Sequence, residues 1–187
     1  PLQSRQEVCS FFPGLVAAAG ETRADARLVD RLMDLVNRTT ARPPPEEGAW
    51  TLHGDPTIQN FCFGSGGEVV GLCDVDDMAR GHPERDVATL ILSTCGLRYS
   101  GQTSSLAAPA AGFNGPLGRR MLDAYRQGGL ELPDARVGEE LLLLWVEMMC
   151  LGIVRGDFSA SDVLDILDDW LATMRQAWPG MEAWIEA

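Results

Sequence analysis

Two brief β-prone apolar runs, Asn60 to Phe63 and Glu68 to Cys73, flank the stretch Gly64-Ser65-Gly66-Gly67. Runs of this kind joined by a Gly-rich turn pair as an antiparallel hairpin. The hairpin constrains the rest of the chain, because its two outer ends are Asn60 and Asp74. Residues far apart in sequence then become neighbours in space, and an amide and a carboxylate held side by side can share one hard cation.

What leads into and out of the hairpin gives this pair its chemical meaning. Ala49 to Leu52 reads as a short strand that delivers the chain to the loop His53-Gly54-Asp55-Pro56-Thr57-Ile58-Gln59-Asn60, and the far strand runs into Asp74-Val75-Asp76-Asp77. Metal-assisted phosphoryl transfer needs one carboxylate to orient the attacking hydroxyl, and an Asn and an Asp to hold Mg²⁺ on the phosphates. Asp55, Asn60 and Asp74 can fill those roles in that order. Asp55 needs no unusual pKa for this, since positioning at hydrogen-bond distance can outweigh basicity. Taken singly, Asp55 could be a helix cap or turn residue and Asn60 a turn former. Their joint spacing favours the chemical reading. Asp76 and Asp77 are better read as solvated or structural carboxylates than as further metal ligands, and His82 as a surface or helix-entry residue.

Helices make up most of the remainder. Leu28, Leu32, Leu35 and Val36 recur at helical spacing and predict a helix ending near Arg38, where Pro43-Pro44-Pro45 stops it. Further helices are expected over Glu84 to Cys95, Pro116 to Gln127, Ala135 to Arg155 and Ser161 to Ala177, with a mobile loop rich in Gly, Ser, Ala and Pro from Arg98 to Gly115. The expected class is therefore mainly α with a small β-hairpin (α+β), in a single domain over residues 1–187. Its parts are a catalytic loop at 53–60, a metal-binding segment at 74–77 and a helical substrate region at 116–187. The length and the 45% apolar content allow one real core.

Charge and cysteine content narrow the partners and the compartment. A net charge of −12 argues against a nucleic-acid backbone and is compatible with cationic ligands. All 15 basic residues are arginines, so there is no lysine. The five cysteines, Cys9, Cys62, Cys73, Cys95 and Cys150, form no CxxC pair and are odd in number. They read as buried thiols in a reducing cytoplasm rather than a disulfide framework or a zinc site. Leu141 to Val154, interrupted by Glu147, falls short of the roughly 18 to 20 residues of a membrane span and is expected to be a core helix. No secretion signal opens the chain, and its start at Pro1 without Met suggests missing upstream sequence. Asp157, Asp162, Asp165, Asp168 and Asp169 surround the start and middle of the last expected helix. There they suit the helix dipole, or alternatively line a pocket for an amine-bearing substrate.

The combination of His53-Gly54-Asp55 with Asn60, an Asp after a hairpin, and Gly81-His82-Pro83-Glu84-Arg85-Asp86-Val87-Ala88 resembles the C-terminal lobe of the aminoglycoside phosphotransferase and choline kinase-like family. The resemblance extends over most of the chain and is specific over Leu52 to Leu90. It implies a protein-kinase-like fold, Mg²⁺, and ATP or GTP as co-substrate. By matched position it implies Asp55 as base, Asn60 and Asp74 as metal ligands, and His53 with Asn60 and Asp74 as the cofactor-binding set. His53 and Gly54 would shape the loop, and Asp86 would have a structural job beside it.

The family's N-terminal lobe, with its phosphate-anchoring lysine, does not fit into the residues before His53, so that lobe is expected to be absent. A separate lobe or partner subunit could supply it, since arginine is no simple substitute for that lysine. Three functional readings follow: a kinase of an aminoglycoside-like, amine-bearing alcohol; a kinase of Ser or Thr in a peptide natural-product pathway; or a non-catalytic kinase-like binding subunit. None of them involves nucleic acid or a membrane.

Overall fold

The structure, a computed structural model, describes residues 50–95 and 113–155, together with the helical residues Ala172 and Gln176. Clustering of the backbone separates two compact units, one of Pro1–Pro43 with Leu142–Trp170, the other of Pro44–Leu141 with Leu171–Ala187. The second unit contains both candidate loops. Its described elements run β1 (Trp50–Leu52), a 3-10 turn (Ile58–Asn60), β2 (Phe61–Phe63), β3 (Val69–Leu72), β4 (Ala79–Gly81), α1 (Pro83–Cys95), α2 (Gly115–Gln127) and the start of α3 (Asp134–Arg155).

Two small antiparallel sheets, β1 with β4 and β2 with β3, bracket the site. The hairpin pairs Phe61 with Leu72 and Cys62 with Gly71, and a register irregularity falls between Cys62 and Phe63. The other sheet pairs Trp50 with Gly81 and Leu52 with Ala79. A Cβ at position 81 would lie 2.5 Å from Leu52 Cδ1, so Gly81 is what allows Leu52 to tuck inward. β4 was not expected from the sequence. Ala79-Arg80-Gly81 has no β-branched residue and no alternation, and pairing with β1 is what makes it a strand.

α1 is the central support. Pro83 opens it, where a missing N–H costs nothing, and Glu84 and Asp86 lie in its first turn, where acids suit the helix dipole. Val87, Ala88, Ile91 and Leu92 are buried along one stripe, and the helix packs on α2, β1 and the 3-10 turn. α2 is capped by Asn114, whose side chain accepts from the Leu117 N–H, and Leu122 on its inner face is fully buried. At the α2–α3 corner Arg119 reaches Asp134 at 2.6 Å and Arg126 grips the same carboxylate. Burial alone would raise the Asp134 pKa, but the hydrogen bonds and charges of Arg126 and Arg119 bring it below the ordinary value.

Three of the expected helices form within a residue of their predicted bounds, so the mainly α class with a small β component holds for the described residues. In the first unit, the α3 residues Leu142, Leu143 and Trp145 are buried, as expected for the apolar run that starts at Leu141. Among the described residues no helix is long and apolar enough to cross a membrane. The expected helix ending near Arg38, most of the Arg98 to Gly115 loop, and the acidic run from Asp157 to Asp169 lie outside the described residues; of the Ser161 to Ala177 helix only Ala172 and Gln176 lie within them. One expectation is overturned for two of the cysteines: among those whose burial is described, Cys62 and Cys73 are exposed and Cys95 is buried. Cysteine usually behaves as a small hydrophobe, but these two sit on a hairpin that the core does not cover.

Candidate active site

The loop after β1 is held from beneath by one carboxylate. Asp86, in the first turn of α1, accepts from the His53 N–H at 2.6 Å through Oδ2 and from the Gly54 N–H at 3.1 Å through Oδ1. Charge-assisted bonds to two consecutive amides fix the loop more firmly than neutral bonds would. Asp86 therefore has a structural job beside the loop.

A second set of contacts joins this loop to the segment after the hairpin. The His53 ring is buried and its Nε2 lies 2.9 Å from the Cys73 carbonyl, so Nε2 carries the proton and donates; Nδ1 has no partner among the described residues. Gly54 adopts φ 91°, and a Cβ there would lie 2.2 Å from the Asp77 carbonyl oxygen. Only glycine tolerates both that backbone and that approach. The Cys73 N–H donates to the Asn60 carbonyl at 2.9 Å, and the Cys73 thiol donates to the same oxygen at 3.3 Å. Cys73 thus ties the end of the hairpin to both His53 and Asn60. Sequence reasoning passed over it, and its position directly before Asp74 was the available signal.

Asn60 and Asp55 form one hydrogen-bonded unit. The Asn60 amide Nδ2 donates to the Asp55 carbonyl at 2.7 Å and to its carboxylate Oδ2 at 3.3 Å. Both contacts use the nitrogen, which leaves Oδ1 of Asn60 as an oxygen donor. Burial raises the Asp55 pKa above the usual carboxylate value. The Asn60 hydrogen bond and His53 oppose this, and the charges of Asp74 and Asp77 add to it. Asp55, Asn60, Asp74 and Asp77 therefore lie in one electrostatic neighbourhood.

Asp74 is the only non-glycine residue with positive φ among the described residues, at 61°. Aspartate tolerates the left-handed region better than most residues, yet the conformation is uncommon and concentrates at functional sites. Its carboxylate is exposed and makes no hydrogen bond or ion pair among the described residues. No three His, Cys, Asp or Glu side chains converge there on a self-sufficient metal centre. Two oxygen donors, Asn60 Oδ1 and the Asp74 carboxylate, nonetheless suit Mg²⁺, which commonly takes one or two protein ligands and completes its shell with phosphate and water.

Neither a curated protein nor a solved structure matches the chain. The family model described as the phosphotransferase enzyme family, APH, matches residues 10–141. That match covers the loop at 53–60, the hairpin, Asp74 and Asp86, and the chain belongs to the phosphotransferase enzyme family.

Proposed function

We propose that this protein is an ATP- or GTP-dependent phosphotransferase that delivers the γ-phosphoryl group to a hydroxyl of a small, amine-bearing acceptor of the aminoglycoside type. The observation that carries the reading is the Asn60 amide, which holds the Asp55 carboxylate while keeping its own oxygen for a cation. One short loop then supplies both the base and a metal ligand. The match to the phosphotransferase family supports the reaction class, and the net charge of −12 favours a cationic acceptor.

In this reading Asp55 accepts the acceptor's hydroxyl proton as that oxygen attacks the γ-phosphorus and the bond to the nucleoside diphosphate breaks. Asn60 and Asp74 hold Mg²⁺, which neutralises charge on the phosphates when bound. Its pKa, raised by burial, makes Asp55 a better proton acceptor than an ordinary surface aspartate. Asp86 holds the loop's backbone and the His53 ring ties the loop to the Cys73 carbonyl, so both serve as positioning residues for Asp55.

The fold in this reading is the C-terminal lobe of a protein-kinase-like fold, completed by a nucleotide-covering lobe or partner subunit. Trp50, Phe63, Val69, Val70, Leu72, Val75 and Met78 are exposed around the site, and apolar groups gathered in one region mark a surface that another element covers. The absence of lysine gives that element a second task, to bring cationic groups to the triphosphate.

The test is incubation with Mg²⁺ and ATP or GTP against a panel of amine-bearing alcohols and Ser/Thr peptides, reading nucleoside diphosphate release and acceptor mass. Asp55→Asn should lower transfer by about 10²–10⁴-fold. Unchanged transfer in that variant would remove Asp55 from the mechanism, and transfer only to peptides would move the acceptor class.

A further inference from the structure

The hairpin that separates Asn60 from Asp74 carries two exposed thiols. Cys62 pairs with Gly71 across the ladder, and Cys73 bonds to Asn60 one pair beyond Phe61 and Leu72. Residues two apart on a strand share a face, so Cys62 and Cys73 are diagonal neighbours on one side of the hairpin. Nothing bulky stands between them. Gly71, directly opposite Cys62, has no side chain, and a Cβ built there would touch Cys62 Sγ at 3.9 Å. The two thiols act on one another electrostatically, and both are free and exposed.

We propose that Cys62 and Cys73 form a reversible cross-strand disulfide that shifts Asn60 relative to Asp74 and thereby weakens the cation site between them. The bond forms by exchange with a low-molecular-weight disulfide such as oxidised glutathione. One protein thiolate attacks a glutathione sulfur and releases one glutathione, and the second displaces the other, so two protein thiols are oxidised and one disulfide is reduced to two thiols. Diagonal partners lie roughly 7–8 Å apart at Cα, whereas a disulfide settles at about 5.5–6 Å, so closing the bond draws the strands together by about 1–2 Å. Cys73 also gives up the thiol hydrogen that it donates to the Asn60 carbonyl. Mg²⁺ demands near-ideal octahedral geometry with short bonds, and a displacement of that size between two of its ligands weakens binding.

This inference rests on the reading of Asn60 and Asp74 as metal ligands, so its test has two separate readouts. The full chain is equilibrated with oxidised glutathione and cleaved after Glu68, which leaves Cys62 and Cys73 on different peptides. The expected result is a joined pair of peptides, two hydrogens lighter than their sum, that separates on reduction. In Cys62→Ser a glutathione adduct on Cys73 replaces it. Glutathione adducts alone on the unsubstituted chain, or unmodified thiols, overturn the proposal. In calorimetry, oxidation should weaken Mg²⁺-ATP binding by about tenfold, with recovery on reduction and no redox response in the Cys62→Ser/Cys73→Ser double variant. Equal binding by the two redox forms overturns the link to the cation site. Absence of binding by the reduced chain counts against the phosphotransferase reading, and leaves the thiol pair to stand or fall on the peptide result.

Discussion

The support around α1 and the hairpin above it serve one site, yet they are built on opposite terms. In the support, Val87, Ala88, Ile91 and Leu122 are essentially inaccessible to water, and Asp86 is committed to two backbone amides. On the hairpin and the segment after it, Phe63, Val69, Val70 and Met78 are half or more exposed, and Asp74 sits in an uncommon backbone conformation. Chemical groups on loops that a rigid scaffold positions are a common arrangement. Here the proposed base belongs to the scaffolded loop, while one proposed cation ligand belongs to the exposed part. Assembly of the site therefore depends on how the hairpin is held.

The sharpest way to break this contrast is by stability. Leu122→Ala should destabilise the protein by about 2–5 kcal/mol in chemical denaturation, the range for emptying a buried leucine position. Asp86→Ala comes next, at about 2–4 kcal/mol, because it removes charge-assisted bonds and leaves two amides unpaired. Transfer should fall with it even where the variant remains folded, whereas Leu122→Ala should leave the turnover of its folded fraction intact. Val70→Ser, on the exposed strand, should stay within about 0.5 kcal/mol of the parent. If it costs as much as Leu122→Ala, the hairpin is not the loosely covered element described here.

The smallest effects are in proton binding, where the two regions titrate in opposite directions. The Asp134 pKa is lowered in the fold, so its contribution is present above the unfolded value of 3.8 and is lost as pH falls through the folded midpoint. Asp55 is raised, so the folded state binds its proton more tightly than the unfolded chain does. Its contribution is complete below 3.8 and is lost as pH rises through the folded midpoint. Asp77→Asn removes a negative neighbour and should move the Asp55 midpoint down, read by carboxyl NMR titration of the metal-free protein. An unmoved midpoint would place Asp77 outside the neighbourhood of Asp55.

Much of this architecture is legible in the sequence, for reasons that differ from part to part. α1 and α2 announce themselves through apolar spacing and a proline in the first turn, and the β2–β3 hairpin through its glycine-rich turn. The closeness of Asn60 and Asp74 follows from that hairpin. β4 was invisible because its residues carry no strand preference, and only the partner strand decides their conformation. The exposure of Cys62 and Cys73 was hidden because residue type speaks for average burial, not for whether a neighbouring element covers a particular hairpin face. The bonds from Asp86 to His53 and Gly54 join residues 33 and 32 positions apart, a distance that no local pattern bridges. The family resemblance supplied that role.

The central claim is that Asn60 and Asp74 hold the metal–nucleotide while Asp55 acts on the acceptor. Calorimetric titration with Mg²⁺-ATP, comparing the parent chain with Asp74→Asn and Asp55→Asn, tests it most directly. The account predicts binding by the parent, near-parental binding by Asp55→Asn, and loss of at least about tenfold in Asp74→Asn. Parental affinity in Asp74→Asn, or equal loss in both variants, would contradict the division of labour between the two aspartates.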